Sequence, residues 1–378
     1  MIRRIRIQNF KSLRDVTVEL SPVTVFVGRS GTGKSNFVTA LKFLRDQLRS
    51  GGQGHLTEYG DASSMFPLTQ PKSAIRYEIE FEVPGYEEPF QYQLCFHAER
   101  VSGSPQLESL KYGSQIIFSQ ESAQQNLKPQ WKQQPSVMPV PATGNIAIGR
   151  LPGLEIVVIA FAALTVGLGV YRFPPHVLCA SRPSNGFGGL SDDASNHLSV
   201  MKELISNWQM INSKKEINAV LQRVNSTVAS IDIDSIQNPQ SAIVAHRLGQ
   251  KTHPLNLAQE SDGFRRFYAH LLALYQSPPK QTLVFEEPEN GIHPGALALL
   301  ADEFNAAPDA GRGQVLLTTQ SPGLLDHFST DQIRVVDLVD LETRIGPLDE
   351  GQRSAIQDHL LRPGELLTTD PARLQGAS

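Results

Sequence analysis

One segment constrains the fold more than any other, because a strand runs directly into a glycine-rich loop and the loop into a helix. The strand ends at Gly28, residues 28–35 read Gly-Arg-Ser-Gly-Thr-Gly-Lys-Ser, and apolar residues then recur at helical spacing from Phe37 to Leu48. This segment fits G-x-x-x-x-G-K-[ST] in the structural context that the pattern requires. Glycines let backbone N–H groups surround an anion, and the helix adds the positive end of its dipole. The segment therefore predicts a phosphate-binding loop.

Two side chains in this loop have specific expected roles. Lys34 should reach the β- and γ-phosphates of a nucleotide, and Ser35 should coordinate Mg²⁺. The candidate contacts to the bound nucleotide are Gly28, Arg29, Ser30, Gly31, Thr32, Gly33, Lys34, Ser35 and Asn36. A glycine-rich turn that binds nothing is the alternative for this segment.

Composition excludes several classes of protein. The 378 residues are 40% hydrophobic and 19% charged, which argues against a disordered, collagen-like or coiled-coil chain. Its net charge of -4 implies no dominant polyanionic partner. The two cysteines lie far apart in the sequence and predict neither a disulfide framework nor a zinc site. We expect a cytoplasmic globular protein.

Two apolar patterns bear on targeting. The N-terminus alternates Arg with Ile and has no signal-peptide pattern. The charge-free run from Ile156 to Tyr171 is shorter than the roughly 20 residues needed to span a bilayer. We interpret that run as a buried helix continuing into a strand, and we expect no membrane partner.

The order of patterns predicts an α/β fold with a mixed central sheet and two insertions. Strands are expected at Ile2–Gln8 and over Val16–Val27, the second interrupted near Ser21-Pro22. We treat 1–378 as a single unit with an antiparallel β subdomain at 51–153, a helical insertion at 185–255 and a further lobe at 256–350. The sequence details behind this division are antiparallel strands near 76–83 and 90–97, a surface excursion over 120–149, a helical segment over 196–228, and short apolar strands at 282–285, 315–318 and 333–336.

A second motif is an apolar strand that ends in adjacent carboxylates. Thr282-Leu-Val-Phe is followed by Glu286, Glu287, Pro288 and Glu289. Beside a phosphate loop, Glu286 is positioned to hold Mg²⁺, and Glu287 could accept a proton from the attacking water. Taken alone, a solvated acidic turn explains the segment equally well.

Two further segments gain meaning from their order along the chain. Ser261-Asp-Gly263 opens an apolar helix and offers a hydroxyl and backbone N–H groups to an anion, although an ordinary helix cap also explains it. The strand Val315–Thr318 is followed by Thr319 and Gln320. Gln320 could bond the γ-phosphate or orient water, or it could simply end the strand.

These motifs together resemble the ABC-type ATPase heads of the SMC, RecF and OLD group. They are also similar to small bacterial AAA-family ATPases that are often encoded beside defence effectors. The resemblance rests on Ile5 to Leu13, on the loop, on Ser261 to Gly263 and on Glu286 to Pro294, and it covers about residues 1–50 and 155–350. Because few residues follow Glu350, we expect none of the Toprim nuclease that OLD relatives carry. Gln320 stands where many relatives carry a histidine, and Glu286 where Asp is commoner.

The resemblance implies an ATPase with ATP and Mg²⁺ as ligands, in which two heads form a homodimer around the nucleotide. Ser261 and Gly263 would then contact ATP bound by the other head, and Lys11 would approach the phosphates, although Lys11 could equally be a surface lysine. The implied setting is DNA maintenance or anti-phage defence with a separately encoded effector protein, and DNA is a further candidate partner.

Two alternatives stay open at this point. One is a nucleotide-dependent switch or scaffold with little turnover, which the residues Glu286 and Gln320 motivate. The other is an ATPase subunit of a transporter, which needs the same order of motifs. Acidic residues such as Asp232, Asp337 and Glu342 could form a nuclease site, but we interpret them as structural.

Overall fold

The computed structural model describes residues 1–51, 59, 62–67, 73–96, 105–121, 155–179, 189–207, 210–234 and 241–376. The strands are β1 (Ile2–Phe10), β2 (Leu13–Glu19), β3 (Val23–Val27), β4 (Ile75–Phe81), β5 (Phe90–Phe96), β6 (Leu107–Tyr112), β7 (Gln115–Glu121), β8 (Leu168–Tyr171), β9 (Val228–Asp234), β10 (Ser241–Leu248), β11 (Lys251–Asn256), β12 (Thr282–Glu286), β13 (Gln314–Thr319), β14 (Ile333–Val339) and β15 (Glu342–Pro347). The helices are α1 (Lys34–Arg49), α2 (Glu155–Leu164), α3 (His197–Ser206), α4 (Ile211–Val224), α5 (Asp262–Tyr275), α6 (Pro294–Ala306), α7 (Pro322–Leu325) and α8 (Glu350–Gln357).

The central sheet has the strand order β15-β14-β3-β13-β12-β8. Its strands run parallel except for β15, which pairs antiparallel with β14. The strand of the glycine loop, β3, is therefore separated from the acidic strand, β12, by β13. Because parallel strands end at the same edge, the residues that follow β3, β12 and β13 meet there.

Strands β3, β8, β12 and β13 of the central sheet are buried on both faces, which explains why they are nearly continuous apolar runs. Side chains alternate between two hydrophobic cores. Leu283 and Phe285 of β12 belong to the core that contains α5 and α6, whereas Val284 faces the core that contains α1 and α2. In β13, Leu316 likewise faces the α1 side. The site-bearing edge is thus fixed from both faces.

A six-stranded antiparallel sheet with the order β2-β1-β4-β5-β6-β7 packs into the α1 side. The strands expected near 76–83 and 90–97 are present as β4 and β5. The strand expected over Val16–Val27 is interrupted near Ser21-Pro22 as predicted, but its two parts, β2 and β3, belong to different sheets, which was not predicted. Between them, Ser21 donates from its hydroxyl to the carbonyl of Val23 at 2.6 Å, and its N–H bonds the Thr24 hydroxyl at 3.0 Å. This local turn redirects the chain.

The segment 185–255, predicted as a helical insertion, is helical only in its first half. Helices α3 and α4 lie within the expected 196–228 range, but β9, β10 and β11 then form an antiparallel sheet of three strands. The strands were missed because their exposed faces are polar and β11 is almost wholly exposed. The assignment of 1–378 to one unit with insertions stays a prediction.

The run from Ile156 to Tyr171 forms a helix followed by a strand, α2 and β8, as expected. No helix in the described ranges combines the length and apolar character needed to cross a membrane. Most of the excursion predicted over 120–149 lies outside the described residues.

One buried side chain joins the two large sheets. The Gln314 amide at the start of β13 accepts from the N–H of Ile2 at 2.9 Å and donates to the carbonyls of Ile2 and Ser21 at 2.8 and 3.0 Å. Its oxygen also accepts from the Thr282 hydroxyl at 3.1 Å. Hydrogen bonds from Gln314 therefore connect β1 to β13 in the middle of the central sheet.

Candidate functional site

The loop between β3 and α1 is tightly enclosed at two glycines. A Cβ at Gly28 would lie 2.1 Å from the carbonyl oxygen of Val336, and a Cβ at Gly33 would lie 2.0 Å from the Thr343 hydroxyl oxygen. Gly33 also has φ +108°, a conformation that L side chains rarely adopt. Both positions therefore require glycine for reasons of backbone geometry.

Lys34 is buried and folds back over the loop. Its ammonium donates to the carbonyls of Gly28 at 2.6 Å and Arg29 at 2.9 Å. Burial lowers the pKa of Lys34, while the carboxylates of Glu287 and Glu289 act in the opposite direction. The charge of Lys34 therefore interacts with carboxylates of the acidic turn that lie more than 250 residues further along the chain.

Hydrogen bonds between polar side chains support the glycine loop. Thr343 of β15 donates to the carbonyl of Thr32 at 2.8 Å and contacts the Ser12 hydroxyl at 2.7 Å. The Asn36 amide donates to the same Ser12 oxygen at 2.7 Å. Asn36, predicted as a nucleotide contact, therefore has a structural partner, and neither Ser12 nor Thr343 was predicted as a site residue.

The acidic turn after β12 is held against the end of β13. Glu287 has φ +46°, and its N–H bonds the carbonyl and hydroxyl of Thr318 at 3.1 and 3.2 Å. One oxygen of its carboxylate accepts from the side-chain amide of Gln320, and the other accepts from Asn290 at 2.8 Å. The two predicted catalytic residues, Glu287 and Gln320, are therefore in direct contact.

Glu289 lies deeper in the same turn. Its Oε1 accepts from the Thr319 hydroxyl at 2.7 Å and from the N–H of Gln320 at 2.9 Å. Burial raises the pKa of this carboxyl group. Glu289 was not predicted as a site residue.

A polar cavity of about 630 Å³ opens beside these groups. It is lined by Ser35 from the loop, by Glu286 and Glu287 from the acidic turn, and by two arginines, Arg172 and Arg266. Arg172 follows β8 and lies 3.9 Å from the Glu286 carboxylate, with 79% of its side chain exposed. Cationic and anionic groups therefore face one cavity, as a site for a metal–phosphate group requires.

A second cavity of about 450 Å³ lies on the other side of the loop. Lys11, Gly31 and Asn36 contribute to its lining together with apolar groups that include Phe66 and Leu341. Lys11 occupies the turn between β1 and β2 with φ +49°, and burial lowers its pKa. The apolar lining suits a flat heterocycle better than a phosphate.

Ser261 and Gly263 lie at the start of α5 and line neither cavity. The Ser261 hydroxyl accepts from the N–H of Phe264 at 3.2 Å and so caps the helix. A Cβ at Gly263 would lie 2.5 Å from the carbonyl oxygen of Gly291, so this glycine lets α5 approach the segment after the acidic turn. Within one chain, both residues have structural roles.

The donor set fits Mg²⁺ at the first cavity. Ser35 supplies a hydroxyl and Glu286 a carboxylate, and Mg²⁺ is held in nucleotide sites by one or two such oxygens plus phosphate. Across the described ranges, no group of three or more His, Cys, Asp or Glu side chains could hold a metal by itself.

The acidic residues considered for a nuclease site are partly paired, since Asp232 bonds Lys214 and Glu342 bonds Arg14.

In this fold the glycine loop joins β3 to α1, and β13 lies between β3 and the acidic strand β12 in the sheet. This arrangement is that of a P-loop NTPase. Residues 1–100 match the family described as AAA ATPase domain. Residues 202–326 match the family described as AAA domain, putative AbiEii toxin, Type IV TA system. No curated protein matches the chain.

Solved structures extend the comparison to nearly the whole chain. One is an SMC head bound to the C-terminal winged-helix domain of ScpA, with 12% identity, a TM-score of 0.57, and coverage of 93% of this chain and 99% of that chain. Another is a Pyrococcus furiosus SMC head with an extended coiled coil, bound to the C-terminal domain of ScpA, with 11% identity, a TM-score of 0.58, and coverage of 95% of this chain and 99% of that chain. The predicted ABC-type head fold is confirmed.

Proposed function

We propose that this protein binds ATP with Mg²⁺ and hydrolyses it as an ABC-type ATPase head. The observation that carries the proposal is the polar cavity that Ser35 of the glycine loop lines together with Glu286 and Glu287 of the acidic turn. The family matches support a P-loop ATPase at the coarser level.

The chemistry follows from the two sides of the cavity. Lys34 and the amides of the loop bind the triphosphate, and the apolar second cavity accepts the base, with Lys11 at its edge. Ser35 and Glu286 would hold Mg²⁺, which would supply positive charge against the phosphates. Glu287 accepts the proton of the attacking water, and Gln320 orients that water.

The dimer is the second part of the proposal. Ser261 and Gly263 lie outside both cavities of their own chain, so a role in nucleotide binding requires a second chain. We propose that two protomers enclose two ATP molecules and that each α5 N-terminus contacts the γ-phosphate held by the other protomer.

Substitution of the proposed base and of the loop lysine tests the function. Glu287→Gln should lower kcat by about 10²- to 10⁴-fold, the usual contribution of a general base, and should leave ATP binding intact. It should also accumulate an ATP-bound dimer in light scattering. Lys34→Ala should lose ATP binding in calorimetry. Unchanged turnover in Glu287→Gln would remove Glu287 as the base.

A switch with little turnover is the second candidate, and the Gln320 contact favours it. Gln320 and Asn290 each donate to one oxygen of the Glu287 carboxylate, so both oxygens of the proposed base are already engaged in hydrogen bonds within the protein. In this case the ATP-bound dimer would control a separate effector. Rapid multiple-turnover phosphate release by the purified protein would contradict it.

The biological setting, DNA maintenance or anti-phage defence, stays a proposal. For DNA, the basic residues of β1 give little support, because they are neutralised on the surface: Arg3 pairs with Glu82, Arg4 with Glu19, and Arg6 with Asp15. DNA binding that appears only with ATP, and that weakens with salt, would support a surface formed by dimerisation.

A further inference from the structure

The two oxygens of Glu289 have different surroundings. Oε1 accepts two hydrogen bonds from consecutive residues, the Thr319 hydroxyl at 2.7 Å and the Gln320 N–H at 2.9 Å. Oε2 is buried without a hydrogen-bond partner, and no other carboxylate oxygen in the described part of the chain is in that position. Both hydrogen bonds that this carboxylate accepts from other residues therefore come from the end of β13.

Gln320, the candidate water-orienting residue, directly follows the end of β13. The N–H of Gln320 is fixed by Glu289, and its side chain reaches the carboxylate of Glu287. Thr318, two residues before Gln320, accepts from the N–H of Glu287 through its carbonyl and hydroxyl. Glu289 thus closes a ring of contacts in which the backbone position of Gln320 determines where its amide meets Glu287.

The burial of a carboxylate here needs a reason, because an unpaired buried oxygen costs free energy. Hydrogen bonds made by a buried carboxylate hold the end of β13 more rigidly than bonds made by an exposed side chain, because exposed hydrogen bonds compete with water. A group that must stay within hydrogen-bond range of a reacting water benefits from such support.

We propose that Glu289 is a positioning residue for hydrolysis, which sets Gln320 against Glu287 without touching the nucleotide. The inference rests on the proposed ATPase function. It assigns the effect to the acceptor Oε1, so the glutamine variant, which keeps that oxygen, should function almost normally.

Three variants of the purified full-length protein test this. Glu289→Ala removes both bonds and should lower kcat at least tenfold, with KM and the ATP dissociation constant within about twofold of wild type. Glu289→Gln should recover kcat to within about threefold of wild type. Thr319→Val removes one of the two bonds and should give an intermediate kcat.

Glu303→Gln is the matched control, because Glu303 is a buried carboxylate bonded to Tyr275 and Arg312 and does not line either cavity. It should affect the melting temperature but not kcat. Circular dichroism checks that each variant is folded, and Thr319→Val keeps the test decisive if Glu289→Ala does not fold.

The outcomes separate the inference from the function on which it rests. Absence of Lys34-dependent turnover in wild type would overturn both. Wild-type turnover with unchanged kcat in Glu289→Ala and Thr319→Val would overturn only the role of Glu289. Equal losses in Glu289→Ala and Glu289→Gln would also overturn it, because the effect would then follow the charge rather than Oε1.

Discussion

At the scale of single residues, Thr343 connects the far end of the chain to the glycine loop. Thr343→Val removes the hydroxyl that bonds the Thr32 carbonyl while keeping the shape of the side chain. Because a buried carbonyl loses its donor, we expect the free energy of unfolding to fall by about 1–3 kcal/mol. ATP affinity should fall about three- to tenfold, as measured by calorimetry.

Thr343→Ser is the control for this prediction, since it keeps the hydroxyl and should retain most of the ATP affinity. Equal losses of ATP affinity in the serine and valine variants would show that the methyl group, rather than the hydrogen bond, supports the loop.

The sequence predicted the motif residues but not the residues that support them. Gly28 to Ser35, Glu287 and Gln320 are recognisable because each sits in a local pattern at a strand end. Thr343 lies 311 positions from the carbonyl it bonds, and Glu289 differs from a solvated acidic side chain only in its burial. No local spacing contains that information.

At the scale of elements, the start of α5 has two roles that substitutions can separate. Ser261 caps the helix within its own chain and is proposed to contact ATP in a second chain. Ser261→Asn keeps a good helix cap, so its melting temperature should stay near wild type while ATP-dependent dimerisation falls. Ser261→Ala should lose both, with a stability cost of about 1 kcal/mol.

Light scattering of each variant with ATP, in a Glu287→Gln background that prevents hydrolysis, measures the dimer. A Ser261→Asn protein that dimerises as well as its parent would contradict the proposed contact across the interface and leave Ser261 as a helix cap.

The elements that were predicted from the sequence are the ones with one clear periodic pattern. The helical spacing of apolar residues predicted α1, and the alternation of apolar and polar residues predicted β4 and β5. The change from helix to sheet after α4 was not predicted, because β9 to β11 form one small sheet with much exposed polar surface and a short apolar face. The separation of β2 from β3 depends on which sheet each strand joins, which is a long-range property.

At the scale of the whole molecule, buried histidines should make stability depend on pH. Burial lowers the pKa of His197 to about 4 and that of His270 to about 3. In the unfolded chain these histidines bind protons near pH 6.5. The free energy of unfolding is therefore undiminished above that pH and falls as the pH drops toward the folded-state pKa values. Between pH 7 and 5 each histidine should lower the free energy of unfolding by about 2 kcal/mol.

Urea unfolding at several pH values measures this dependence. His197→Phe should remove about one proton from the uptake on unfolding, and so flatten the acid limb, whereas His253→Asn, at an exposed position of β11, should leave the limb unchanged. A His197→Phe protein with the wild-type slope would show that this imidazole is already protonated in the folded protein.

The place of β3 in the central sheet has a consequence for synthesis on the ribosome. Its two neighbours, β13 and β14, begin at Gln314 and Ile333, whereas β3 itself ends at Val27. The nascent chain therefore carries its glycine loop for almost 300 residues before either edge of that strand finds a hydrogen-bonding partner. Nucleotide binding should consequently be a late event in biogenesis, and a chain stalled before β13 should be unable to hold ATP and should be open to chaperones.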